Sequence, residues 1–115
     1  MDAIPRFLQG VHSFEGSGWD KPFLLDSGLV YQVPADKRAQ LIYLRAGNSS
    51  SDLICLSLLR DGKPMRLFPV GAAAAVHVPL AVVEDIFPES RIEVFVAAPK
   101  GVVGTIVLDI GLLEI

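Results

Sequence analysis

Residues 52–70 read DLICLSLLRDGKPMRLFPV. The first nine form an aliphatic run of strand length, and Asp61-Gly62 is a pair that readily adopts the positive φ angles of a two-residue hairpin turn. Residues 65–70 then supply a returning strand. The stretch therefore predicts an antiparallel β-hairpin, and the rest of the chain follows the same plan.

Proline and glycine interrupt the chain at short intervals, so most segments suit a strand of about five to eight residues rather than a helix. Further strands are predicted at residues 7–14, 23–25, 29–33, 40–46, 74–78, 91–98 and 101–115. The last segment is either one long strand or two strands divided near Gly111. Turn signals at this spacing are typical of a sandwich or barrel. We expect an all-β fold, an antiparallel two-sheet β-sandwich.

One segment departs from the strand pattern. Residues 80–87 (LAVVEDIF) follow one proline and precede another, and Leu80, Val83 and Phe87 would share one stripe of a helix. A short helical turn linking two strands is predicted here.

The composition predicts a single globular domain spanning residues 1–115, with 51% hydrophobic and 20% charged residues. No uninterrupted apolar run reaches the roughly 18 residues of a membrane span. The net charge of −3 comes without a basic stripe, so we expect neither a membrane nor a nucleic-acid partner. A mean hydropathy of +0.47 is high for a small globule, which favours association with a protein partner or a second copy.

The single cysteine, Cys55, excludes an internal disulfide and is compatible with a reducing cytoplasm. The first residues show no cationic segment leading into an apolar one, so no secretory signal is visible. We therefore expect a cytoplasmic protein, unless a signal peptide has been removed. The mid-strand position of Cys55 predicts that it packs as a small hydrophobic side chain.

Several predicted strands carry apolar side chains on both faces, whereas a half-exposed strand alternates apolar with polar residues. We predict that five apolar residues on the second face of these strands form a subunit interface: Leu53, Leu59, Val107, Leu113 and Ile115. A two-sheet sandwich has one interior, so this second apolar set needs a cover. A homo-oligomer would supply it; the alternative is that loops and the N-terminal segment of the same chain do so.

The most chemically varied stretch is residues 12–21. A glycine-serine loop that carries aromatic, acidic and imidazole groups is where binding residues concentrate. The predicted ligand-binding residues are His12, Glu15, Trp19 and Asp20. The alternative is a surface loop whose Trp19 packs onto the sandwich.

No pattern points to catalysis or to a metal. His12 and His77 lie far apart in the chain without Cys or His at ligand spacing, and no Gly-x-Ser-x-Gly elbow accompanies the serines. We expect no catalytic residue, no metal and no cofactor, and the sequence favours a protein that is not an enzyme. A small enzyme with an unrecognised site stays open, because a sequence does not display groups that converge in a cleft.

The order of several motifs resembles a known class of sandwich. Tyr43-Leu44-Arg45-Ala46-Gly47-Asn48 is followed by a strand ending in Asp61-Gly62-Lys63, by residues 91–96, and by Gly104-Thr105-Ile106-Val107-Leu108-Asp109-Ile110. Over about residues 40–113 this series resembles the galactose-binding-type jelly rolls, a class that includes carbohydrate-binding modules. The resemblance implies a fold rather than an activity.

Three functional hypotheses follow. The leading one is a non-enzymatic binding or assembly module that self-associates through an apolar sheet face. The second is a module for carbohydrate or another small ligand that uses the Trp19 loop. The third is the small enzyme.

Overall fold

Short aliphatic runs separated by turn residues make this chain a series of strands. The computed structural model describes residues 3–115, and this part of the chain contains no helix, hence none long and apolar enough to span a membrane. The ten strands are β1 (Ile4–Glu15), β2 (Phe23–Leu24), β3 (Val30–Gln32), β4 (Ala39–Asn48), β5 (Ile54–Arg60), β6 (Lys63–Val70), β7 (Ala74–Pro79), β8 (Asp85–Ile86), β9 (Arg91–Ala97) and β10 (Val103–Glu114).

The strands form two antiparallel sheets. Sheet A has the order β1-β10-β4-β7, with the short β8 also paired to β4, and sheet B has the order β2-β9-β5-β6, with β3 also paired to β9. Strands β2 and β3 pair with the same edge of β9, and β7 and β8 pair with the same edge of β4, so the ten strands occupy eight positions. The chain crosses between the two sheets as in a jelly roll. The predicted antiparallel two-sheet β-sandwich is confirmed.

The core lies between the sheets. In β5 and β10 every second side chain points inward, as the two-residue period of a strand requires. These inward side chains are at most 2% exposed and comprise Ile54, Leu56, Leu58, Ile106, Leu108, Ile110 and Leu112. Each contributes about 1.5–3 kcal/mol by leaving water.

The β5–β6 hairpin turns at Asp61 and Gly62, as predicted. Both residues have positive φ (52° and 81°), and Arg60 pairs directly with Lys63, so the loop has two residues. The Asp61 carboxylate accepts a hydrogen bond from the Arg91 backbone N–H at 2.9 Å, which attaches the turn to β9.

Residues 80–87 form bends and the short strand β8 rather than the predicted helical turn. Ile86 is fully buried and pairs with Ala39 of β4, which holds the backbone extended. The Arg66 guanidinium donates to the Val82 carbonyl at 3.3 Å and forms an ion pair with Glu84 at 2.6 Å. Contacts distant in sequence therefore override the local helical pattern.

The C-terminal segment is one strand rather than two. Its pairing with β4 shifts register between Gly111 and Leu112, so the glycine that the sequence marks as a possible break is a bulge. β1 also extends beyond the predicted residues 7–14 and pairs with β10 along its whole length.

Candidate functional site

The outer face of sheet A carries a row of polar side chains that crosses four strands. Gln9 of β1 lies opposite Asp109 of β10, Asp109 lies opposite Arg45 of β4, and Arg45 lies opposite His77 of β7. Side chains opposite each other on one face stand about 4.5–5.5 Å apart at Cβ. The register thus gathers four polar groups from distant parts of the chain; we call them the polar row.

Apolar residues flank the polar row on both sides. One neighbouring row consists of Val11, Val107, Gly47 and Ala75. The other consists of Phe7, Gly111, Tyr43 and Pro79. A Cβ at Gly111 would overlap the Tyr43 ring, so glycine at this position is what lets the ring lie on β10.

Hydrogen bonds fix the position of the Asp109 carboxylate. Its Oδ1 accepts from the Tyr43 hydroxyl and from Gln9 Nε2, both at 3.0 Å. Burial raises the pKa of Tyr43, and the hydrogen bond to Asp109 and the charge of that carboxylate raise it further, so the hydroxyl stays protonated as a donor. The His77 ring meets the Tyr43 ring edge-on, with centroids 6.1 Å apart.

A depression of about 540 Å³ lies on the β10–β4–β7 side of this face. Its lining residues are Arg45, Ala46, Gly47, Ala75, Val76, His77, Val107, Leu108 and Asp109. Within residues 3–115, no hydrogen bond or ion pair engages the Arg45 guanidinium or the His77 ring. The depression therefore presents free donors and a fixed acceptor beside apolar walls, an arrangement suited to binding.

The β1–β10 side of the same face also carries large apolar side chains. Four of its side chains are between 55% and 67% exposed, and we call them the apolar stripe: Phe7, Val11, Val103 and Val107. Val11 and Val107 lie directly opposite each other.

The structure separates the predicted ligand-binding residues. His12 projects from the inward face of β1 and lies over Gly10, with its Nδ1 3.9 Å from an Asp26 carboxylate oxygen. Glu15, three positions later, is exposed on the opposite face of the strand. A ligand site that includes both side chains stays a prediction that this geometry does not favour.

Trp19 and Asp20 lie in the turn that follows β1, and both are exposed. Backbone hydrogen bonds from Gly18 to Ala98 and from Gly16 to Val102 anchor this loop to the end of the sandwich. The Trp19 side chain is 47% exposed, so much of its ring faces solvent.

The predicted interface residues do not share one face. Val107 belongs to the apolar stripe and Leu113 lies on the same face of sheet A, whereas Leu59 is 9% exposed on sheet B and Leu53 is 48% exposed before β5. Ile115 follows β10 and exchanges backbone hydrogen bonds with Arg38.

Sequence reasoning missed the polar row, although it placed His77 correctly on a strand. The available signal was Arg45 and Asp109, each a charged residue with an apolar residue on either side in the sequence. Their adjacency depends on the β4–β10 register, which no local pattern reports.

A second polar cluster surrounds Glu114, whose side chain is 2% exposed. Its Oε2 accepts from the Tyr31 hydroxyl at 2.6 Å and from Arg6 Nε at 3.0 Å. The Tyr31 hydrogen bond is the main factor that lowers the pKa of Glu114, and it outweighs burial, which acts in the opposite direction. Burial and the same hydrogen bond raise the pKa of Tyr31. This cluster joins β1, β3 and β10.

The comparisons with known proteins identify no family for this chain. No family model matches the chain, and no curated protein matches its sequence. Among solved structures, the chain is similar to part of the insecticidal delta-endotoxin Cry8Ea1 from Bacillus thuringiensis, with a TM-score of 0.49 and 11% sequence identity. The likeness covers 88% of this chain and 18% of the endotoxin chain, so this chain spans less than a fifth of that protein's length.

Proposed function

We propose that this chain is a non-enzymatic binding or assembly module that associates with a second copy of itself through the outer face of sheet A. The observation that carries the proposal is the apolar stripe, which leaves four large side chains more than half exposed on one face. Covering such a stripe stabilises an assembly by about 25 cal/mol for each Å² of apolar surface removed from water.

The free edge of β1 adjoins the stripe and favours a second copy as the occupant. The twelve residues of β1 pair only with β10 among the strands of residues 3–115, so the backbone groups on its other side are open to another strand. Phe7 and Val11 lie four residues apart on one face. Packing of two copies face to face would bury Phe7 and Val11 of each, whereas pairing at the β1 edge alone would extend the sheet and leave the stripe exposed.

A lysine in the stripe tests the assembly. We expect Val11→Lys to shift the mass measured by light scattering at micromolar concentration from an oligomer towards the 12.4 kDa monomer, because burying the charge in an interface is costly. Leu67→Lys is the matched control: Leu67 is 64% exposed against 67% for Val11, and it lies on an edge strand of sheet B.

The Leu67→Lys protein should keep the wild-type mass. A wild-type protein that stays at 12.4 kDa as its concentration rises would refute self-association. Dissociation by Leu67→Lys but not by Val11→Lys would move the interface to sheet B.

A second candidate is the binding of a carbohydrate or another small ligand at the Trp19 loop. The exposure of Trp19 favours it, because tryptophan is highly buried on average and an exposed indole is available for stacking. If it is correct, tryptophan fluorescence changes on titration with the ligand, and Trp19→Ala abolishes binding measured by calorimetry; unchanged calorimetric binding in Trp19→Ala would eliminate it.

A further inference from the structure

We infer that two copies of this chain form a two-fold dimer in which the apolar stripe of each copy fills the depression of the other. This inference rests on the self-association proposed above and specifies the surface that receives the stripe. The stripe lies on the β1–β10 side of the outer face of sheet A, and the depression of about 540 Å³ lies on the β10–β4–β7 side. Protrusion and hollow thus belong to one face, as an interface between identical patches requires.

The strand order of sheet A places the two-fold axis. The order is β1-β10-β4-β7, so an axis parallel to the strands and midway between β10 and β4 sets β10 over the partner's β4 and β1 over the partner's β7. The strands of the two copies are then aligned, as in the common face-to-face packing of sheets. Each row of side chains across the sheet faces the same row of the partner in reverse order.

The reversal sets large side chains of one row over small ones. In the row that contains Val107 and Gly47, it sets Val107 over the partner's Gly47. In the same row it sets Val11 over the partner's Ala75. The two valines are 55% and 67% exposed, whereas the glycine and the alanine line the depression. The nearest atom to a Cβ at Gly47 would be 4.0 Å away, so this part of the depression is open to an incoming side chain.

The charges of the polar row select this axis. Arg45 and Asp109 lie opposite each other in the β4–β10 register, yet among residues 3–115 they form no ion pair. The axis parallel to the strands sets Asp109 over the partner's Arg45 in two symmetric contacts. An axis along the polar row would instead set each charge over its own counterpart, and like charges across an interface repel.

The face is large enough for a specific dimer. With strands about 4.8 Å apart and about 3.4 Å for each residue, the four strand positions of sheet A cover roughly 600 Å² along the ten residues of β4. Two such faces bury roughly 1,200 Å², which is the lower end of the standard size of specific interfaces.

Charge reversal tests the arrangement by light scattering at tens of micromolar. We expect the wild-type mass to be twice the 12.4 kDa of the chain. Arg45→Glu and Asp109→Arg should each raise the Kd of the dimer at least about tenfold. An equimolar mixture of the two variants should regain the dimer, because every contact of the mixed dimer joins opposite charges. Lys63→Glu is the matched control, since it makes the same change in net charge at an exposed position of sheet B and should keep the wild-type mass.

Gly47→Val tests the fit without a change in charge. Its added methyl groups occupy the hollow that receives the partner's Val107, so the variant should be monomeric while its circular dichroism stays that of a folded sheet. If Asp109→Arg does not fold, because it loses the hydrogen bonds from Tyr43 and Gln9, Gly47→Val and Arg45→Glu decide the test.

Two negative results differ in what they overturn. A wild-type dimer that Val11→Lys dissociates, but that persists in Gly47→Val or is not regained by mixing the folded charge variants, overturns this arrangement alone. A wild-type protein that stays monomeric refutes the self-association itself and the arrangement with it.

Discussion

Glu114 is the residue on which we expect stability in acid to depend. The Tyr31 hydrogen bond holds its pKa below the ordinary 4.5. A carboxyl with a lowered folded-state pKa stabilises the fold fully above that ordinary value, and this contribution is lost as the pH falls through the folded-state pKa. Tyr31→Phe should therefore cost about 1–3 kcal/mol at neutral pH and begin its acid unfolding at a higher pH than wild type. Urea denaturation between about pH 3 and pH 7 measures both effects.

Tyr43→Phe is the control for this change, since it also removes a tyrosine hydroxyl that donates to a carboxylate. Here the carboxylate is that of the half-buried Asp109 on the outer face. Its effect on the free energy of unfolding should be smaller, because solvent can replace a hydrogen bond at a more exposed carboxylate. Acid-unfolding midpoints that coincide for wild type and Tyr31→Phe would contradict the role assigned to Glu114.

Strands β10 and β4 differ in the space available for a side chain at their glycines. A Cβ at Gly104 of β10 would lie 2.8 Å from the Ser50 Cβ and 3.1 Å from the Phe14 ring, whereas one at Gly47 of β4 makes ordinary contact with Val107. We expect Gly104→Ala to destabilise the protein by about 1–3 kcal/mol. Gly47→Ala should leave the melting temperature unchanged or raise it, because alanine loses less entropy than glycine in a strand. Thermal denaturation that shows equal changes would contradict this difference.

The strands also show where local pattern succeeds and where it fails. The β5–β6 hairpin follows from Asp61-Gly62 and its flanking aliphatic runs, all within about twenty residues of each other. Residues 80–87 carry an equally local helical pattern, yet Ile86 pairs with Ala39 and enters the core. Burial against a strand far away in sequence decides between two conformations that the segment alone does not distinguish.

For the whole molecule, the surplus of apolar residues is accounted for only in part by the sandwich interior. Val107 and Leu113 lie on the outer face of sheet A, whereas Leu59 is a buried residue of β5 in sheet B and Leu53 is exposed just before that strand. The sequence shows that two apolar sets exist, since the period of a strand separates them. It does not show that the second apolar face of β5 and that of β10 belong to different sheets. The proposed interface therefore uses only the apolar residues of sheet A.

The sequence alone predicts the all-β class, the sandwich, the β5–β6 hairpin and the inward-facing residues of β5 and β10, because turn chemistry and a two-residue period act over short distances. The sequence does not predict that Arg45, His77 and Asp109 share one depression or that Glu114 is buried against Tyr31. Each of these groupings joins strands from distant parts of the chain through pairing register. Register is set by how the whole set of core side chains packs, and no single segment contains that information.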